Sequence, residues 1–211
     1  KMNKKDCLIK IHAYIASDGL IGFWNCKETR GNSFRVRKRF SRVRFYNQNE
    51  ELINDYINAV KKACPHLTYV RYIKRRSEVD LRSQILAKGL LNLGDISTRN
   101  WELPQNINKR QKRIWLGTFV DCDGTIQNRK YDRFIAIDSI NLRGLKEISK
   151  VLENFNITNK IYTIKYKDNI SYRLKIFRKE NLIRFNKLID LKHPIKKKKL
   201  VEAIRSYKQN V

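Results

Sequence analysis

Acidic residues are scarce in this chain of 211 residues: 20 Asp and Glu stand against 47 Lys and Arg, a formal net charge of +27. An excess of that size is far beyond what solubility requires and points to a polyanionic partner, with nucleic acid ahead of a membrane surface. Long apolar runs are missing as well. The stretch from Leu8 to Ala16 is broken by Lys10 and His12, so nothing reaches the roughly 18 to 20 apolar residues of a membrane span. The first residues lack the uninterrupted apolar region of a signal peptide. A soluble, intracellular protein is therefore expected, in a prokaryotic cytoplasm or an organelle, and no membrane partner. Cysteine is sparse too: Cys7, Cys26, Cys64 and Cys122 lie 19, 38 and 58 residues apart. That spacing fits neither a zinc ligand pair nor a small disulfide framework, and reduced thiols are expected. Cys64 and His66 stand close together, but no second ligand pair accompanies them.

With 41% apolar residues the chain can bury a core, as one large domain or as two units of half the size. Divided at Asn106, the first part holds 21 basic and 10 acidic residues and the second 26 and 10. Both parts are basic, so the charge belongs to a surface built from both and not to a tail.

Two segments match each other. Ile11-His12-Ala13-Tyr14-Ile15-Ala16-Ser17-Asp18-Gly19 and Leu116-Gly117-Thr118-Phe119-Val120-Asp121-Cys122-Asp123-Gly124 are apolar, helix-length stretches ending in Asp-Gly, and the two Asp-Gly pairs are 105 residues apart. After each the hydrophobic period follows a similar course. In the first half it predicts strands at about 20–29 and 34–46, a helix at 49–63, strands at 67–75 and 79–84, and a helix at 85–93. In the second it predicts strands at 125–128 and 133–139, a helix at 141–154, strands at 159–166 and 171–177, and a helix at 179–190. The order is αββαββα, twice, an α+β fold of two pseudo-symmetric half-domains over 1–93 and 112–211. Residues 94–111, with Trp101, Pro104 and several polar residues, read as a linker. Ala13 and Ser17 share a helix face, as do Thr118 and Cys122, and Ala16 and Gly117 widen the strip of small residues, so the two helices can approach closely.

The duplicated motif resembles that of the LAGLIDADG homing endonucleases, in the single-chain form with two motif copies. The resemblance runs from about Leu8 to about Tyr207. The second copy matches well; in the first, His12 occupies a usually small position and Ala16 replaces the motif's first Asp. The stretch His193 to Leu200 also resembles the segment that opens the last helix of such proteins. The resemblance implies that the motif helices pack together between the half-domains, that Asp18 and Asp123 lie side by side at the lower edge, and that each half presents an antiparallel sheet to the DNA major groove. It implies a site-specific double-strand DNA endonuclease that binds its target as a monomer.

Adjacent carboxylates suit Mg²⁺, with Mn²⁺ as a substitute, and the backbone oxygens of Ser17 and Cys122 at the helix ends are further candidate ligands. Bound metal would activate water and stabilise the leaving oxygen. Lys196 and Lys197 are candidates for stabilising developing phosphoryl charge, and Asn47 and Gln48 for positioning water.

The densest binding signal runs from Ser33 to Phe45. As a strand it would turn Phe34, Val36 and Phe40 to the core and Arg35, Arg37 and Arg39 outward. The alternation flips after Phe40, so a bulge or bend is expected near Ser41, bringing Arg42 and Arg44 into the set. Further DNA-binding candidates are Arg71, Lys74 and Arg76 in the first half, and Lys165, Lys167, Arg173 and Lys175 in the second.

Other motifs fail on spacing. Val120 to Thr125 is similar to the haloacid-dehalogenase nucleophile motif, but no downstream acidic pair completes it. A calcium loop starting at Asp121 would put Gly124 two positions early. An intein is not expected. The alternative is an intron RNA maturase or a non-cleaving nucleic-acid-binding protein of the same fold, for which +27 is equally suited.

Overall fold

The computed structural model describes residues 2–30 and 33–207, and the side chains of these except 25–30 and 33–40. Its logic starts at two helix caps. Helix α1 (Lys4–Asp18) opens where Asn3 accepts from the Asp6 amide at 2.8 Å and Asp6 accepts from the Asn3 amide at 3.1 Å. Helix α4 (Lys109–Asp123) opens the same way through Asn108 and Gln111. Each reciprocal pair satisfies two amides that the helix itself leaves unbonded. Both helices stop at a glycine in extended conformation. The requirement there is room: a Cβ on Gly19 would lie 2.7 Å from the Arg44 carbonyl oxygen, and one on Gly124 2.5 Å from that of Val120.

The first half continues through β1 (Gly19–Arg30), β2 (Ser33–Tyr46), α2 (Glu50–Ala63), β3 (Val70–Ile73), β4 (Glu78–Leu81) and α3 (Gln84–Leu91). The second runs through β5 (Gly124–Arg129), β6 (Asp132–Ser139), α5 (Leu142–Asn154), β7 (Asn159–Tyr166), β8 (Asn169–Phe177) and α6 (Lys179–Leu188), then adds α7 (Pro194–Ser206). The two antiparallel sheets have the same order, β1-β2-β4-β3 and β5-β6-β8-β7. This is the duplicated α+β architecture that the hydrophobic period predicts.

Most elements fall within two residues of expectation. The strand expected over 67–75 is shorter: it ends at Ile73, and Lys74–Arg76 form a 3-10 turn closed by Ser77 at φ 51°. Its three consecutive cations have no apolar alternation to hold them on a sheet. The expected bulge is present, slightly earlier than Ser41: Trp24 pairs with Phe40 but Cys26 with Arg37, so β2 carries one extra residue at Lys38–Arg39. Beyond it the inward face is Val43 and Phe45, both fully buried.

Each sheet lays its inner face on helices. Tyr14, Phe45 and Tyr56 form one aromatic cluster; Trp101, Trp115 and Phe119 form the other. Trp101, from the segment between the halves, covers Gly144, where a Cβ would stand 2.5 Å from its ring. Helices α1 and α4 pack side by side and run parallel. At their N-terminal ends Gln111 Nε2 donates to Asp6 Oδ1 at 3.3 Å, and Arg110 pairs with Asp6 at 3.2 Å. Midway, Trp115 Nε1 donates to His12 Nδ1 at 3.1 Å while His12 Nε2 lies 3.2 Å from the Gly94 carbonyl. His12 is thus a buried, neutral link between the motif helices and the connecting segment. Burial drives its pKa down to about 4.

Candidate active site and nucleic-acid interface

At their C-terminal ends α1 and α4 deliver Asp18 and Asp123 to one place. Burial raises the Asp18 pKa, opposed by hydrogen bonds from Asn47 and the Cys122 thiol and by the nearby charge of Lys196. Asp123 is pushed up to about 7, first by burial and then by the charge of Asp18, with Lys196 opposing. Two carboxylates close enough for one to raise the other's pKa, beside helix ends rich in carbonyl oxygen, are a hard-oxygen donor set. Among the described residues no group of three or more His, Cys, Asp or Glu side chains gathers to hold a metal. The pair fits Mg²⁺, which commonly takes one or two carboxylates and fills its remaining positions with water and phosphate oxygen.

The supporting polar groups are unequal. Asn47 Nδ2 donates to Asp18 Oδ2 at 2.8 Å. With Gln48, Tyr46 and the turn residues Arg75, Arg76 and Ser77, it lines an open cleft beside Asp18. At the matching place in the second half Ser139 turns away, accepting from Trp101 Nε1 at 3.3 Å. The Asp123 side receives Lys196 instead. The Lys196 ammonium donates to the carbonyls of Val120, Asp121 and Cys122 at 3.1, 2.7 and 2.8 Å, capping the end of α4. Burial lowers its pKa, and the surrounding acids oppose that.

Of the expected site residues, Asp18, Asp123, Asn47, Gln48 and Lys196 are brought together. Lys197 is not: one helix position on, it points to Asp190 at 3.0 Å. Ser17 Oγ donates back to the Ala13 and Tyr14 carbonyls, and the Cys122 carbonyl already accepts from Lys196. Sequence reasoning missed Asp121. Its carboxylate accepts the backbone amides of Lys192 and His193 at 2.8 and 3.0 Å, which sets α7 and so places Lys196. Among the described residues the first half has no helix corresponding to α7 to hold, so Ala16 suffices at the matching position.

The outward faces follow from register. Arg42 and Arg44 on β2 and Arg71 on β3 face outward, opposite the buried inner face. Arg173 and Lys175 face outward on β8, paired with Asp138 and Asp132. Four candidates stand elsewhere than on an outward strand face. Lys74 and Arg76 lie on the turn and not on a strand, because the sheet ends at Ile73; Lys74 is paired there with Glu50 at 3.4 Å. Lys165 has the parity of Ile161, whose cross-strand partner Leu174 is core, so it stands on the opposite face of the hairpin. Lys167 sits in the β7–β8 turn at φ 51°, its ammonium over the Tyr166 ring. The side chains of Arg35, Arg37 and Arg39 lie outside those described.

Residues 110–190 match the family model of a LAGLIDADG-like domain. The chain has the two-copy LAGLIDADG fold. The crystal structure of I-DmoI in complex with DNA and calcium is similar, with a TM-score of 0.65 and 19% identity over 89% of this chain and 91% of that one. The I-LtrWI LAGLIDADG homing endonuclease bound to target DNA is similar over 99% and 92%, with 12% identity and a TM-score of 0.61. A full-length DUF199/WhiA protein from Thermatoga maritima carries the fold as well, with a TM-score of 0.56 and 14% identity, this chain covering 62% of it. No curated protein matched the sequence. The LAGLIDADG fold therefore stands on a family model for the second copy and on three-dimensional similarity for both. No helix among the described residues is long and apolar enough to cross a membrane.

Proposed function

We propose that the chain is a site-specific DNA endonuclease that hydrolyses phosphodiesters with Mg²⁺, or Mn²⁺ in its place. It would act as a monomer whose half-domains, 1–93 and 112–211, are joined by 94–111. The observation that carries this is the meeting of Asp18 and Asp123 at the ends of two paired helices, in a chain of net charge +27. The solved I-DmoI and I-LtrWI structures hold DNA, and I-DmoI was crystallised with calcium and with manganese.

Asp18 and Asp123 would hold the metal, which when bound activates water and stabilises the leaving oxygen. Asn47 fixes the orientation of the Asp18 carboxylate through its 2.8 Å bond. Gln48, in the same cleft, would hold a water against the phosphate. Lys196 keeps a positive charge over both carboxylates and lowers their proton affinity, so that they present as anions to the metal and its charge meets that developing on phosphorus.

Incubation with a plasmid library carrying randomised inserts, followed by sequencing of linear products, tests this. Cleavage should require Mg²⁺ or Mn²⁺ and stop with chelator. Asp18→Asn or Asp123→Asn should slow linearisation more than about a hundredfold while DNA affinity survives. Linearisation at the wild-type rate by either variant would remove that residue from the mechanism. Binding of intron RNA with no cleavage of any duplex would replace the endonuclease with the maturase of the same fold.

A further inference from the structure

The duplication makes the two flanks of the motif-helix pair comparable residue by residue. Positions in α1 and α4 correspond at a spacing of 105, and positions in α2 and α5 at 92, the spacing of their caps Asn49 and Asn141. One flank is filled. The segment leaving α3 crosses α1 at His12, whose Nε2 lies 3.2 Å from the Gly94 carbonyl, and then runs along α4 and α5 toward the α4 cap at Asn108. Trp101 packs on Trp115 and Phe119, its carbonyl accepts from Asn141 Nδ2 at 2.7 Å, and the Leu103 amide donates to Glu147 at 3.1 Å. Trp101, Leu103 and Pro104 are buried in this groove.

The other flank is open. The segment leaving α6 crosses α4 at the corresponding point, where a Cβ on Gly117 would stand 3.1 Å from Ile189. It then turns into α7 at Pro194, with the amides of Lys192 and His193 held by Asp121, and does not run on along the helix pair. Beside Asp55, which corresponds to Glu147, lies a cavity of about 410 Å³, within the roughly 300 to 1,000 Å³ of sites that enclose a ligand. Lys10 and Asp55 line it from the first half, and Arg110, Arg113, Asp190 and Lys192 from the second. Met2, Ile114 and Leu188 add an apolar wall. Four cations thus face two acids. Asp55 Oδ2 accepts from Tyr14 and pairs with Lys10, Asp190 is shared by Lys192 and Lys197, and Arg110 is paired with Asp6. Arg113 has no acidic partner among the described residues.

Surplus positive charge beside an apolar wall fits an occupant that carries both carboxylates and apolar side chains. A nucleic-acid strand would set phosphates against Asp55 and Asp190 and leave the wall uncovered. We propose that the open groove docks an extended, acidic peptide segment of a protein partner, seated as Trp101 to Pro104 are seated on the filled flank. Its main chain would donate an amide to Asp55, and its apolar side chains would cover Ile114 and Leu188. The filled flank also gives the direction. The connecting segment runs toward the heads of the helices, so the residue after the one matching Pro104 is the residue brought to Arg113, and an acid is fitted there. The occupant would bridge the two halves, as the connecting segment does on its own flank.

The probe is the heptapeptide of residues 100–106 carrying Gln105→Glu, labelled with fluorescein and titrated with the full chain by fluorescence anisotropy. Saturable binding is expected, about tenfold or more tighter than that of a scrambled peptide of the same composition. Arg113→Glu should weaken the ordered peptide about tenfold, and the same peptide with Gln105→Lys should bind that variant better than it binds wild type. Equal affinity for ordered and scrambled peptides, or for wild type and Arg113→Glu, overturns the proposal, as does an absence of binding. Tighter binding of a labelled oligouridylate that Arg113→Glu weakens to the same degree assigns the groove to nucleic acid and overturns it as well. If Arg113→Glu fails to fold, Arg113→Gln decides, with an expected loss of about threefold; an unchanged affinity in that variant overturns the docking site.

Discussion

The two halves share a frame and differ in what fills it. Asn3 and Asn108 cap, Asp18 and Asp123 close, and the strand orders coincide, all at the same place in the duplicated unit. Yet His12 stands where the second copy has Gly117, Leu52 where it has Gly144, and Asn47 where it has Ser139. The helix-cap and sheet-register positions kept after duplication are those whose loss would leave buried amides unbonded or reverse a strand's faces. The positions that diverged are those at which the halves meet each other, the connecting segment or the outside.

His12 gives the strongest way to break this comparison. Its imidazole titrates near 6.5 when unfolded and about 4 when folded. Between those values the unfolded chain binds the extra proton, so the stability contributed by neutral His12 is whole above about pH 6.5 and drains away as pH falls toward 4. Asp121 and Asp123, raised to about 6 and about 7, work in the opposite sense over an overlapping window. The informative quantity is therefore the difference between wild type and His12→Gln in urea. That gap should shrink by about 2 kcal/mol between pH 7 and pH 4.5. A gap independent of pH would mean that His12 is not a buried link.

The second test is Gly144→Ala. Its Cβ would meet the Trp101 ring at 2.5 Å, and overpacking of this kind costs about 2 kcal/mol. The same turn of α2 holds a full leucine side chain, the buried Leu52, so the requirement for glycine belongs to the second half alone. Chemical denaturation measures it, and an unchanged midpoint would show that Trp101 can move aside. The smallest effect has the opposite sign. Gly89 in α3 would meet nothing within 4 Å, so Gly89→Ala should stabilise by about 0.5 to 1 kcal/mol through helix propensity.

The fold was legible where pattern and length were both strong. The 105-residue repeat exposed the motif helices, and the parity flip in β2 exposed the bulge. The third strand was overextended because Lys74, Arg75 and Arg76 carry no alternation with which to place an end. At the site, Asp18, Asp123 and Asn47 were visible because each ends an element. Asp121 was passed over because its partners, Lys192 and His193, lie some seventy residues downstream. Lys196 and Lys197 were indistinguishable in a run of four lysines; helix phase alone sends one to the α4 carbonyls and the other to Asp190. Glu78 and Asp80 drew no role from the sequence, and only the structure shows arginines lying over them.

The contact between Asp6 and Gln111 has a consequence for how the chain could be divided. These residues are counterparts in the two copies, and they meet each other at the head of the helix pair. Were the first half expressed alone and forced to pair with itself, Asp6 would face Asp6, with Arg110 absent and two buried carboxylates in repulsion. Two second halves would bring Gln111 against Gln111, which can exchange amide bonds, but would supply a second Arg110 with no Asp6 to meet. Each half is thus shaped for the other and not for a copy of itself. Separated halves mixed in one tube should sort into unlike pairs.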